Sequence, residues 1–336
     1  MSKTEKVTLK KLLDAMLDVD QPLDPRYLYR LSDLSMAEQA ELQDAWPKIP
    51  AWRRQAIMED IEEIGLEDYV LSFEAFACIG LRDSEPQVRQ LAVRTLWEYE
   101  SPELVPVFIQ MMESDPDADV RAVAATALGH YIYLGEIEEL PASTLHQIEE
   151  KLLQVTGGKD TNLVRRRALE ALGFSDRDEI PALIQAAYTS GDNDWLCSAL
   201  FAMGRSANKA WNRAVISKLD SDVPGVLSEA ARAAGELEIK ETVPRLMQLL
   251  QNGDSDVRWA AIWSLSQIGG EGVRERLEKM YEQTDDDEEA DFIESALDNL
   301  DFTEDVSLFD LLDVEGEDMD DEFDLDLLDD EEDDED

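Results

Sequence analysis

Few side chains in this sequence could do more chemistry at neutral pH than carry charge. There are two histidines, His130 and His146, and two cysteines, Cys78 and Cys197. Histidine relays protons or ligates metals, and closely spaced cysteines hold zinc. Here the cysteines lie far apart and form no ligand pair. No phosphate-gripping glycine loop and no serine–histidine–acid set can be picked out. The run Asp285-Asp286-Asp287 could attract calcium loosely but lacks the spacing of a calcium-binding loop. The expectation is a chain that is not an enzyme, with no catalytic residue, no cofactor and no metal site. Its thiols read as reduced and its compartment as the cytoplasm.

Charge narrows the partners. The net charge is −48, and Asp285–Asp336 holds 29 acidic residues and no base, which leaves −19 for residues 1–284. Both parts repel a phosphate backbone, so no nucleic-acid role is expected. Anionic membrane surfaces are disfavoured for the same reason. No apolar run approaches a membrane span, and Met1–Asp20 is charged throughout, unlike a secretory leader. What remains is a protein partner, a basic one by charge, with the chain itself expected to be a monomer.

The elements that would position a binding surface come from an internal repeat. An apolar residue, often followed by Arg, is succeeded four residues on by a small residue. Leu or Met comes four further on, often with Gly next. The copies are Val88-Arg89…Ala92…Leu96, Val120-Arg121…Ala124…Leu128-Gly129, Val164-Arg165…Ala168…Leu172-Gly173, Trp195…Ala199…Met203-Gly204, Val226…Ala230…Ala234-Gly235 and Val257-Arg258…Ala261…Leu265. Their first residues are 32, 44, 31, 31 and 31 apart. A spacing of four and four is one face of an α-helix, and the period is one helical hairpin long. A second amphipathic helix precedes each phrase, with an early proline at Pro106, Pro181 and Pro244. Asp-rich turns such as Asp115-Pro116-Asp117 and Gly253-Asp254-Ser255-Asp256 should cap the phrase helix. The long step of 44 predicts an insertion near residues 130–142, a protruding loop plus a lengthened helix.

This phrase resembles the HEAT-like repeat of phycobilisome lyases, most closely at Asp119-Val120-Arg121 through Leu128-Gly129 and Asp256-Val257-Arg258 through Ile268-Gly269. The resemblance covers about residues 51–300 and implies an all-α superhelix, a right-handed solenoid of about seven helical hairpins. An N-terminal helical cap (1–50) precedes it, and a disordered acidic tail (301–336) follows. Ala51–Gly65 and Leu66–Gly80 read as one degenerate hairpin. Iron-binding hydroxylases of this repeat class need His-Glu pairs. Here His130 is followed by Tyr131 and His146 by Gln147. A bilin-lyase-like activity rests on resemblance alone.

Taking the first phrase residue as zero, positions +4, +8 and +11 point into the core, and +2, +6 and +9 point away, toward the concave face. Those positions hold Arg94, Trp97, Arg166, Glu170, Phe201, Arg232, Trp259 and Trp263. Aromatic and arginine side chains together are the usual anchors of protein interfaces. Arg89, Arg121, Arg165 and Arg258, recurring with the acidic turns, read as a ladder tying each repeat to the next. The tail repeats an apolar-acidic phrase, with Phe309, Leu311 and Leu312 in one copy and Phe323, Leu327 and Leu328 in the other. These could fold onto a groove, in cis or in trans. The functional expectation is a non-enzymatic scaffold or adaptor that grips a protein segment on its concave face. The alternative is an acidic, chaperone-like binder that shields a basic protein with its tail.

Overall fold

The computed structural model describes residues 7–68, 70–97 and 99–317, with side chains through Phe302 except that of Glu67. The chain is all-helical, with no strand among the described residues, and falls into two compact units, Met1–Asn208 and Lys209–Asp336.

The first unit holds α1 (Leu9–Leu17), α2 (Met36–Ala45), α3 (Ala51–Glu67), α4 (Glu74–Gly80), α5 (Pro86–Thr95) and α6 (Leu104–Ser114). It continues with α7 (Ala118–Glu136), α8 (Ala142–Thr156), α9 (Asn162–Ala171), α10 (Ile180–Tyr188) and α11 (Asn193–Arg205). The odd-numbered helices from α3 to α11 carry the repeat phrase and pack side by side in chain order. The even-numbered ones from α4 on each pack on the helix that follows. The second unit repeats this with α12 (Asn212–Ile216), α13 (Pro224–Glu236), α14 (Val243–Leu249), α15 (Ser255–Ile268), α16 (Val273–Tyr281) and α17 (Asp287–Glu317), where α13, α15 and α17 form the row.

The turn aspartates cap as their chemistry requires. Asp117 accepts from the N–H groups of Asp119 and Val120, Asp192 from those of Asp194 and Trp195, and Asp254 from that of Val257. The inward positions are buried: Ala92, Leu96, Ala124, Leu128, Ala168, Leu172, Ala199, Met203, Ala230, Ala234, Ala261 and Leu265 all lie in the core. The glycine after several of them lets the next helix in. A Cβ on Gly173 would stand 2.9 Å from Ala202 Cα, and one on Gly235 2.8 Å from Ser264 Cα.

Three features differ from the sequence reading. Ala51–Gly65 and Leu66–Gly80 do not pair as one hairpin: α3 joins the phrase row against α5, and α2 packs against α4. The helix α3 is a further copy of the phrase, with Arg53-Arg54 leading and Ile57 and Ile61 buried at +4 and +8. Arg53 replaces the apolar first residue because it meets carbonyl oxygens of the N-terminal segment, at 3.0 Å on Ala15 and 2.6 Å on Gln21. The inserted residues mostly lengthen helices instead of protruding. Tyr131, Ile132, Leu134 and Leu140 are buried, and Tyr131 donates to the carbonyls of Tyr99 (3.0 Å) and Ser101 (3.1 Å). Finally, α17 runs past Leu300 to Glu317. Phe309, Leu311 and Leu312 fall where only its backbone is described, while Phe323, Leu327 and Leu328 lie outside the described residues. Among the described residues no helix is long and apolar enough to cross a membrane.

Candidate functional site

The recurring arginines form rungs between adjacent repeats. Arg89 grips Asp115 through two bonds of 2.8 and 2.7 Å, and Arg121 grips Asp160 with the same pair of distances. Arg54, on the copy that the sequence reading missed, does the same to Asp83 at 2.7 and 2.8 Å, where Trp46 Nε1 also donates at 2.6 Å. Burial alone would raise the Asp83 carboxyl. The bonds from Arg54, the Glu85 N–H and Trp46 outweigh it and hold the group below the usual carboxylate range. Arg258 reaches Glu289 at 3.5 Å. Each acceptor also serves its own turn: Asp83 accepts the Glu85 N–H and Asp115 the Asp117 N–H. Arg165 departs from the series. It donates to the Thr156 carbonyl at 3.0 Å and lies over the Trp195 ring at 5.3 Å. These arginines are therefore structural, and they leave no basic ladder open for an acidic ligand.

The outward positions divide into two kinds. Position +2 faces the next phrase helix, not the open surface. Arg166 meets Asp194, with a bond to its carbonyl at 3.1 Å and to its carboxylate at 3.2 Å. Ser228 donates to the Asp256 carbonyl at 3.1 Å, and Trp259 stacks on Phe292 of α17 with ring centres 4.8 Å apart. Glu170, at +6, is buried at 5% exposure, where it accepts from Ser198 (2.6 Å) and Arg167 (2.5 Å). Phe201 lies under Arg205, whose guanidinium also covers Phe174, at 4.2 and 4.5 Å. Tyr133 packs against Phe174 in turn, the rings tilted with centres 5.5 Å apart. Arg232 pairs with Glu229 at 3.0 Å on its own helix, and Trp263 is half-buried.

Two of the expected residues come together. Arg94 and Trp97 line a groove of about 460 Å³ between α3 and the end of α5, with Gly65, Leu66, Leu71, Phe73 and Tyr99 as its apolar walls. Arg94 is held at its rim by a paired bond to Glu62, 2.6 Å long at Nε. Tyr99 Oη accepts the Phe73 N–H at 2.8 Å, which fixes the far wall. Leu66 is 59% exposed and Val70, beside Leu71, 89% exposed. The sequence reading missed Leu66, Leu71 and Phe73. Their signal was an apolar cluster at a helix end, outside the repeat phrase.

The groove's acidic side is crowded. Glu62 and Glu59 both act on Arg94, and its guanidinium holds its proton more tightly, chiefly through the Glu62 bond. Asp60, also on α3, has its carboxyl raised by burial and by repulsion from Glu63 and Glu59. Two carboxylates, Glu62 and Glu59, thus act on one guanidinium at the rim.

Among families, the HEAT-repeat model matches residues 75–144 and 212–297. No curated protein matches the sequence. Solved structures similar to the chain include human deoxyhypusine hydroxylase, at 18% identity over 88% of this chain and 96% of that one, with a TM-score of 0.37. The CpcE–CpcF complex of phycocyanin lyase from Nostoc sp. is similar at 17% identity over 89% and 97%, TM-score 0.43. Importin beta is similar at 13% identity over 87% of this chain and 46% of its own, TM-score 0.41. With six legible copies of the phrase, a seventh in α3, and the family match on both units, the fold of each unit is one of HEAT repeats.

Proposed function

We propose that the chain is a non-enzymatic scaffold that holds a segment of a partner protein against the exposed side of its phrase helices. The observation that carries this reading is the groove at α3 and α5. There a tryptophan, a tyrosine, a phenylalanine and two leucines surround a space of about 460 Å³, with Leu66 and Val70 exposed at its lip. An exposed apolar patch with an arginine and aromatics at its centre is the composition of an interface anchor. HEAT arrays suit such a role because each repeat contacts its neighbours and leaves one side for a ligand. The remaining expected positions support it less. Arg166, Glu170, Phe201, Arg232 and Trp259 are engaged within the fold, whereas Trp97 lines the groove beside the Arg94–Glu62 pair.

Site-specific photo-crosslinking tests this in cells that express the chain natively. A photoreactive residue at Leu66 should give one discrete protein adduct, and the same residue at Gln110, exposed on α6, should give none. An absence of adduct at Leu66, or the same adduct at both positions, would sink the scaffold reading.

A further inference from the structure

We infer that the α3–α5 groove takes a peptide segment with an apolar or aromatic centre flanked by lysines or arginines, an inference that rests on the scaffold reading and names its partner class. The walls select the centre. Gly65, Leu66, Leu71, Phe73 and Trp97 are apolar, and the two charged lining residues, Glu62 and Arg94, are already paired with each other, so a further buried charge would go unpaired there. Phe73 is fully buried and donates its N–H to Tyr99, which ties the floor to the far wall. The rim selects the flanks. Its one base, Arg94, is already satisfied by Glu62. That leaves Glu59, exposed on α3 and close enough to act on Arg94, as surplus negative charge, with Glu63 exposed on the same helix. A cation brought to this edge meets that negative charge favourably, whereas an anion is repelled by it.

The same charge disfavours two other occupants. The chain's own residues 318–336 are almost wholly acidic apart from Phe323 and a few apolar side chains, and would meet the rim with like charge. A second copy carries a net −48 and is repelled for the same reason. A basic partner is thus the occupant that both halves of the groove accept.

Fluorescence anisotropy on the full chain tests this with four labelled probes. One has a leucine–phenylalanine centre flanked by lysines; the second has that centre flanked by glutamates; the third has lysines around an alanine centre; the fourth copies residues 318–336. The lysine-flanked apolar probe should bind at least about tenfold more tightly than each of the others. Leu66→Glu, an exposed change that leaves the melting temperature intact, should weaken it by about tenfold or more. The pair Glu59→Gln/Glu63→Gln keeps the apolar walls. It should reduce the preference for lysine over glutamate flanks several-fold, by about the removal of two exposed charges, and added salt should do the same. If the glutamate-flanked probe, the tail probe or a second copy of the chain is what Leu66→Glu releases, the basic-partner inference falls while the scaffold reading stands. If no probe responds to Leu66→Glu but the photo-adduct at that position persists, the inference again falls alone. Loss of both takes the two together.

Discussion

The joints between adjacent repeats are held by different means, and the α13–α15 joint of the second unit is uncharged, unlike the α15–α17 joint that Arg258 and Glu289 bridge. In the first unit, Arg54–Asp83, Arg89–Asp115 and Arg121–Asp160 are buried or half-buried charged rungs, each with two bonds. At the α13–α15 joint, the arginine position of α13 is Leu227, buried, and the acceptor in the following turn is Asn252. Asn252 still accepts the Asp254 N–H at 2.9 Å, as Asp83 and Asp115 do for Glu85 and Asp117. The turn keeps its side-chain oxygen in every case, but the carboxylate charge appears only where an arginine arrives to meet it. Ser190 fits the same rule from the other side. It accepts the Asp192 N–H at 3.2 Å without charge, and Arg165 turns instead to the Trp195 ring. A turn acceptor and a rung acceptor are therefore separate requirements placed on one residue, and a lone buried charge is avoided.

This contrast can be broken experimentally. Asp83→Ala leaves Arg54 buried without its partner and should cost about 3–5 kcal/mol, read as a drop in the urea midpoint. Asn252→Ala removes only a turn bond and should cost about 1 kcal/mol. Equal losses would mean that the charge contributes nothing. Next in size, Gly173→Ala drives a Cβ against the α11 backbone and should destabilise by about 1–3 kcal/mol, with no loss on adding the same methyl at the open Gly253 beyond turn effects. A double-mutant cycle sharpens the comparison further. Arg89→Leu alone strands Asp115, whereas Arg89→Leu/Asp115→Asn recreates the pairing of the α13–α15 joint. The double variant should recover most of the loss, and failure to recover it would show that the two seams are not interchangeable.

Acid should expose the same difference. Asp83 and Asp160 are held below their ordinary range, so the folded state binds their protons less readily than the unfolded chain does. Their stabilisation is present above the ordinary carboxylate pKa and is lost as pH falls through the depressed values. An Asp83→Asn variant should lose less stability between neutral and acidic pH than the parent, as read by thermal melts across that range. Asp60 works in the opposite direction. Its raised carboxyl favours the folded state as it gains a proton, so Asp60→Asn should be neutral or slightly stabilising at neutral pH.

Much of this was legible in the residues. Apolar, small and large side chains at intervals of four placed the core of six phrase helices. The recurring Arg with the Asp-rich turns announced the rungs. The seventh phrase, in α3, was hidden because Arg53 stands where the others carry an apolar residue, and the reason lies in the N-terminal carbonyls it serves. The site was less legible. Periodicity sorted Arg94 and Trp97 correctly to the outside, but it sorted Arg166, Glu170 and Trp259 there as well. Those three are covered by the neighbouring helix in the row.

By itself, the sequence determined the helices, their inward faces, their caps and the chain's own net charge, because each depends on near neighbours along the chain or on totals over it. Only the tertiary structure decided which outward positions stay open. A helix in a row is flanked on both sides. Whether +2 or +6 meets the next helix or the surface depends on how closely the helices approach, and small residues such as Gly173 and Ala202 set that approach from far apart in the chain. The groove exists for the same reason: α5 ends at Thr95, so Trp97 leaves the helix and turns toward the exposed end of α3, a meeting that no local period encodes.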